Sequence, residues 1–170
     1  MLTLVIGGAS SGKSRFAEEL VQRLPGRRVY LATMENEGVE NRKRIAFHRE
    51  MRKGKGFDTA ECQVNISSVS LPPDANVLLE DLPNIVANEM FSSRGRGTEN
   101  LLSELEDLSS RCTNLTIVTG ELFSGGADYE GGTLLFLQQL AALNNALATS
   151  ADLVIEVIAS LPNILKGSIP

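Results

Sequence analysis

The chain holds one histidine, two cysteines, two tyrosines and no tryptophan among its 170 residues. His48 alone leaves a zinc site without its usual ligands, because Cys62 and Cys112 show no metal-ligand spacing. The two cysteines are read as free thiols of a reducing compartment, with a single disulfide as the lesser alternative. Long apolar runs are also missing. The run from Met1 to Ile6 stops at Gly7-Gly8, far short of the ~20 apolar residues that span a bilayer. No basic residues precede it, and it is too short for a signal-peptide core. These absences predict a cytoplasmic protein with no membrane span.

Positive charge is scarce overall. Sixteen Lys and Arg face twenty-one Asp and Glu, a net charge of −5, which argues against a nucleic-acid coat or an anionic-membrane surface. Apolar residues at 42% and charged residues at 22% are ordinary for a globular protein. The length predicts one domain over residues 1–170. A chain of this size buries roughly 70% of its unfolded surface and needs neither disulfide nor metal to hold a core.

Short apolar runs alternate with helical patterns from end to end. Strands are expected at 2–6, 29–32, 77–79, 115–119 and 153–157, rich in Val, Ile and Leu without polar alternation. Such runs suit strands buried on both faces of a parallel sheet. Helices are expected at 13–24, about 39–53, 83–91, 100–110 and 133–149, with surface loops at 92–98 and 124–132. Strand–helix alternation at this spacing predicts an α/β protein: a three-layer α/β/α sandwich with a mostly parallel sheet.

The segment Gly7-Gly8-Ala9-Ser10-Ser11-Gly12-Lys13-Ser14 fits the phosphate-loop pattern G-x4-G-K-[ST] and implies a P-loop NTPase-like fold. Glycines let successive backbone N–H groups converge on phosphate oxygens, and Lys13 adds a point charge on the β/γ-phosphates. The Ser14 hydroxyl is placed to ligate Mg²⁺, and the following helix directs its positive end inward. Chance produces the pattern in about one chain of this length in a hundred; here it also lies between an expected strand and an expected helix. A phosphate loop commonly works with an acid at the end of another strand. Glu80 and Asp81 follow the strand 77–79, and either suits that role, Glu80 ahead. The other reading is that both cap the next helix, whose dipole favours acids.

Seven of the sixteen basic residues fall within positions 42–55, opposed there by Glu50 alone: a net +6, against −11 for the rest of the chain. On a helix Arg44, His48 and Arg52 form one stripe at i, i+4 and i+8. An imidazole among guanidiniums suits a phosphate site, where histidine serves as nucleophile or acid/base. The alternative is a solvated or subunit-contacting face.

The phosphate loop, Val29–Thr33 (VYLAT), Arg44–Arg52 (RIAFHREMR), Thr59–Glu61 (TAE), Leu78-Leu79-Glu80, Asn88, Val118-Thr119 with Glu121, Asn144, Ala148 and Ala151-Asp152 together resemble one family. It is the bifunctional adenosylcobinamide kinase/adenosylcobinamide-phosphate guanylyltransferase family of cobalamin assembly. The resemblance spans nearly the whole chain. It implies that His48 attacks the α-phosphate of GTP to form a GMP-histidine, which then passes GMP to the corrinoid phosphate. A kinase activity on the aminopropanol arm of cobinamide goes with it. His48 and Lys13 become the candidate catalytic residues. Nucleotide contacts map onto Gly7 to Ser14, then Ala32, Thr33, Met34, Arg49, Glu50, Met51, Arg52, Glu61 and Glu80, with Ser14 and Glu80 as the metal pair. GTP, ATP or both are the implied nucleotide substrates, a corrinoid is the implied acceptor, and a homo-oligomer, a trimer, is the implied assembly.

The chain also departs from the family's usual pattern. Ser10 stands where Arg is usual, Phe57 where Trp is common, and Gly120-Glu121-Leu122-Phe123 where the family reads Asn-Glu-Val-Gly. Gln138 and Ala141 replace Asp and Gly in the last helix. Residues 124–132 are Gly-rich, and no Lys or Arg occurs from 112 to 165. The nucleotide end is kept and the half expected to shape the acceptor site differs. The residues leave open two other readings: a phosphate-loop kinase of another alcohol, and a nucleotide-binding regulatory or scaffold module.

Overall fold

The computed structural model describes residues 1–36, 38–123 and 129–169, without the side chains of residues 40, 44, 47, 48 and 51. The strands are β1 (Leu2–Gly7), β2 (Arg27–Ala32), β3 (Phe57–Glu61), β4 (Ala75–Glu80), β5 (Asn114–Gly120), β6 (Leu153–Ile158) and β7 (Leu161–Lys166). The helices are α1 (Lys13–Gln22), α2 (Gly38–Arg52), α3 (Leu82–Phe91), α4 (Leu101–Ser110) and α5 (Gly131–Ser150), with a 3-10 turn at Ile66–Ser68. All seven strands join one sheet in the order β3-β2-β4-β5-β1-β6-β7. Only β7 is antiparallel to its neighbour.

Successive side chains of a strand point to opposite faces, and here both faces are apolar. Leu4, Leu31, Leu79 and Ile117 pack with α3, α4 and α5 on one side. Val5, Tyr30, Leu78, Val118 and Ile155 pack with Ala17, Leu20 and Val21 of α1 on the other. This is the expected three-layer α/β architecture. Of the described side chains of α2 only Arg52 is buried.

Each expected strand and helix is present with ends shifted by a few residues. Two strands lie outside the sequence expectation, both at sheet edges. Strand β3 (FDTAE) has only Phe57 and Ala60 apolar in five positions and is largely exposed, so it lacks the apolar run that marks an inner strand. Strand β7 is exposed throughout and contains Pro162, a residue tolerated in strands at edges. Of the expected loop at 124–132, residues 124–128 lie outside those described, and Gly131 and Gly132 open α5. Cys62 and Cys112 are free thiols, each pushed up to about 11 by burial.

The β6–β7 turn is two residues long, since Ile158 pairs with Leu161. Ala159 and Ser160 both have positive φ, 50° and 65°, where hairpins usually place Asn-Gly. A left-handed residue with a Cβ costs roughly 1–2 kcal/mol. Replacing the pair by Ala159→Asn with Ser160→Gly is therefore expected to stabilise the protein by about 1 kcal/mol, or roughly 2–4 °C in Tm. An unchanged melting temperature would show that the turn stores no such strain.

Candidate nucleotide site

Ligands of open α/β sheets bind beyond the carboxyl ends of the strands, and the phosphate loop lies there, at the end of β1. Three features force its shape. A Cβ at Gly7 would stand 2.5 Å from the Ser11 Oγ and 2.6 Å from the Val157 carbonyl oxygen, so only glycine fits. Gly12 caps α1 at φ 90°, and a Cβ there would meet the Ser160 Oγ at 2.6 Å. The Ser160 N–H donates to the Ser11 carbonyl at 2.7 Å, so the β6–β7 turn braces the loop from outside. Lys13 folds back and donates to the Gly8 carbonyl at 3.1 Å.

The Ser14 hydroxyl donates to Glu80 Oε1 at 2.6 Å. Glu80 Oε2 is buried without a hydrogen-bond partner. Burial raises the Glu80 carboxyl to about 8, against the opposing pull of the Ser14 hydrogen bond; Asp81 raises it further and Lys13 lowers it. Of the two candidate acids, Glu80 is thus the one beside Ser14. The neighbouring Asp81 accepts from the Asn84 N–H at 3.0 Å and caps α3, while also lining the cleft. Thr33 is fully buried and its hydroxyl is committed to this bend: it accepts from the Asp81 N–H at 2.7 Å and lies 2.8 Å from the Glu80 carbonyl oxygen. Asn88 of α3 holds the next link, donating to the Thr33 and Gln63 carbonyls at 2.8 Å each.

Facing the loop, α2 brings two arginines. Arg49 pairs with Glu61 at the end of β3. The Arg52 guanidinium lies 3.4 Å from the centroid of the Tyr30 ring and is 7% exposed. Its Nε and Nη1 atoms are buried without hydrogen-bond partners. A buried guanidinium with unused donors is poised for an anion, since charge-assisted hydrogen bonds to phosphate are among the strongest available. The segment after α2 is tied to α1 by an ion pair between Lys55 and the buried Glu18.

These groups enclose a cleft of about 480 Å³, within the usual range for a small-molecule site. Of the sequence candidates, Gly7, Ala9, Ser10, Lys13, Ser14, Ala32, Thr33, Met34, Arg49, Arg52, Glu61 and Glu80 line it. Gly8, Ser11 and Gly12 lie in the loop behind them. Glu50 is not among the lining residues; it points to solvent and pairs with Lys53 at 3.7 Å. His48 is on α2, one turn before Arg52, but its side chain and those of Arg44 and Met51 lie outside the described residues. Asn36, Pro83 and Asn84, none of them a site candidate in the sequence, also line the cleft, as do Tyr30 of the VYLAT segment and Gly120 and Leu122 of the segment that departs from the family pattern. The strand ends carried a signal for Gly120 and Pro83. Nothing in the sequence marked Tyr30 as lining the site, since its role depends on α2 folding over β2.

A family model described as cobinamide kinase/cobinamide phosphate guanyltransferase matches residues 3–165. The chain belongs to this family. Its similarity to the cobinamide kinase/guanyltransferases extends to named relatives. It is 30% identical to the bifunctional adenosylcobalamin biosynthesis protein CobU of Salmonella typhimurium, over 95% of this chain and 97% of that one. It is 28% identical to the CobU protein of Escherichia coli over the same shares, and 28% identical to the CobP protein of Pseudomonas aeruginosa over 98% of each chain. Among solved structures, an ATPase from a bacterial type III secretion system is similar in fold, with a TM-score of 0.50 at 11% identity over 91% of this chain. The P4 protein of bacteriophage phi6 in complex with ADP aligns over 96% of this chain at 12% identity and a TM-score of 0.47. The chain spans about half the length of each. Among the described residues no helix is long and apolar enough to cross a membrane.

The buried Glu80 carboxyl sets a pH test on the protein without nucleotide or metal. Its pKa is raised on folding from 4.5 to about 8. Its contribution to stability is therefore complete below pH 4.5 and is lost as pH rises through 8. Glu80→Gln keeps an acceptor for Ser14 and removes the titration. The variant is expected to melt above the parent at pH 8–9, with the difference shrinking toward pH 5. A difference independent of pH would show that the carboxyl titrates normally.

Proposed function

We propose that this protein is a cobalamin-pathway transferase. It phosphorylates adenosylcobinamide and transfers GMP from GTP to adenosylcobinamide phosphate. Family membership supports the reaction class. The observation that carries the reading is the pairing of a phosphate loop with a facing basic helix across one cleft: Lys13 and Ser14 on one side, Arg49 and the unpartnered Arg52 on the other.

In guanylyl transfer, a nitrogen of the His48 imidazole attacks the α-phosphorus of GTP. A P–N bond forms, the α–β bridging P–O bond breaks, and pyrophosphate leaves with the bond electrons. A phosphate oxygen of adenosylcobinamide phosphate then attacks the same phosphorus, the P–N bond breaks, and the imidazole is restored. Lys13 and the loop N–H groups stabilise charge on the departing pyrophosphate, and Arg52 is suited to the charge that builds on the transferred phosphoryl group. In the kinase step, the hydroxyl of the aminopropanol arm attacks the γ-phosphorus of a nucleoside triphosphate held on the same loop; a P–O bond forms, the β–γ bridging P–O bond breaks, the nucleoside diphosphate leaves with the bond electrons, and the hydroxyl proton passes to solvent. Neutralisation of the β/γ-phosphates is the chemistry that Mg²⁺ supplies when bound. The oxygen donor set fits that ion: Ser14 Oγ would hold it, with Glu80, whose Oε2 lacks a partner, and with phosphate oxygens completing the shell. Ala32, Met34 and Glu61 complete the nucleotide contacts in this reading. The protein acts in the cytoplasm as a single-domain subunit of a homo-oligomer.

GTP labelled at the α-phosphate tests this directly. Covalent label is expected on the parent protein and is expected to discharge when adenosylcobinamide phosphate is added. His48→Ala should cut labelling at least about a hundredfold, and Lys13→Ala by about 10²–10³. Label that persists in His48→Ala would remove His48 as the carrier.

A further inference from the structure

The cleft has two unlike walls. One is basic, with Arg49 and Arg52. The other is built by Gly120, Leu122, Pro83 and Asn84 and holds no cation. From Pro83 the helix α3 continues away from the cleft for about 12 Å, with Ala87 and Phe91 following at i+4 and i+8. Phe91 is 58% exposed. Its ring stands 3.4 Å from the place a Cβ on Gly132 would take, which puts it against the first turn of α5. Leu135, three residues after Gly132 and so on the same side of α5, is 49% exposed.

These residues form an apolar strip that starts inside the cleft at Leu122 and Pro83 and ends on α5. Exposed apolar strips of this kind on a globular protein mark binding surfaces. The charge around it narrows the class of occupant. No Lys or Arg occurs from 112 to 165. Those just beyond Phe91 are already paired, Arg94 with Glu35 at 3.3 Å and Arg96 with Glu104 at 2.6 Å. A polyphosphate has nothing to hold it there. A flat macrocycle with methyl-bearing faces and neutral amide arms does.

We propose that the strip docks the body of the acceptor, a corrinoid macrocycle, so that its phosphorus-accepting arm enters the cleft past Pro83 and Leu122. This rests on the transferase reading above and adds where the second substrate sits. The continuity of strip and cleft is what the reaction needs: the donor is held by cations on one side and the acceptor by apolar area on the other, with the reacting atoms between.

The test is equilibrium dialysis of cobinamide, followed by its visible absorbance, with GTP binding measured in parallel. Phe91→Gln combined with Leu135→Gln is expected to weaken cobinamide binding about tenfold or more. GTP binding should stay within about twofold, because neither residue lines the nucleotide cleft. Leu135→Gln alone, a single exposed change, should weaken cobinamide binding in the same direction and serves where the double variant fails to fold. Unchanged cobinamide binding in folded variants would overturn the assignment and leave the transferase reading intact. So would a fall in the molecular mass of the assembly with cobinamide binding retained, which would assign the strip to a second copy of the chain. A parent protein that binds GTP but no cobinamide would overturn both this inference and the reading it rests on.

Discussion

A carboxyl group held almost out of water, 2.6 Å from a serine hydroxyl, ties the two halves of the nucleotide site together. Ser14 opens the helix that follows β1, Glu80 ends β4, and β5 separates the two strands in the sheet. The bond forms only if β1 stops at Gly7, if the loop reverses through positive φ at Ser10 and Gly12, and if the end of β4 is fixed by Thr33. Desolvation outweighs the Ser14 donor and the Lys13 charge, so the carboxyl holds its proton to about pH 8. Such a site is uncomfortable when empty of cations. A cation brought to it would favour the charged form and displace the proton, so cation binding there competes with protonation below about pH 8.

The basic helix is fastened in a different way. Among its described side chains only Arg52 is buried. Among the described residues, electrostatic attachments gather at and just past its C-terminal end: Arg52 on the Tyr30 ring, Arg49 to Glu61, and Lys55 to Glu18. An exposed pair such as Arg49–Glu61 contributes at most about 1 kcal/mol. A guanidinium stacked on a buried ring contributes about 2 kcal/mol when desolvated. Arg52 is therefore the main anchor among these contacts, and it is also the group with unused donors. One side chain both positions the helix and waits for an anion.

The inner sheet and all five helices were legible because they rest on periodicity and on glycine placement, which are local properties. The phosphate loop was legible for the same reason. Edge strands β3 and β7 were not, because an edge strand needs no continuous apolar run. The choice between Glu80 and Asp81 could not be made from two adjacent acids. It turns on a one-residue step along the backbone that sends one carboxyl to Ser14 and the other to the first turn of α3. Thr33 stood among the expected nucleotide contacts. It does line the cleft, yet its hydroxyl is spent on the Glu80–Asp81 backbone, a partnership between residues 47 and 48 positions apart that no spacing rule reports. Tyr30 was invisible as part of the site because its environment is made by a helix that crosses from the next unit.

Three of the four described non-glycine residues that break local rules share one location. Among the described residues four that are not glycine have positive φ: Ser10, Asn65, Ala159 and Ser160. Ser10 lies in the phosphate loop. Ala159 and Ser160 form the turn whose backbone donates to Ser11 and whose side chain excludes any Cβ at Gly12. Each such residue costs free energy that neither local propensity nor core packing returns, so the turn persists because the fold around it is over-determined. Its geometry becomes intelligible from the loop's side. A phosphate loop must keep its N–H groups aimed inward while no ligand is present, and a loop of Gly, Ala and Ser has few side-chain contacts with which to do so. The rigid two-residue turn from the neighbouring hairpin supplies the missing contact from outside. The strain at 159–160 and the preorganisation of residues 7–14 are thus one feature seen from two strands, and local consistency gives way where the site requires it.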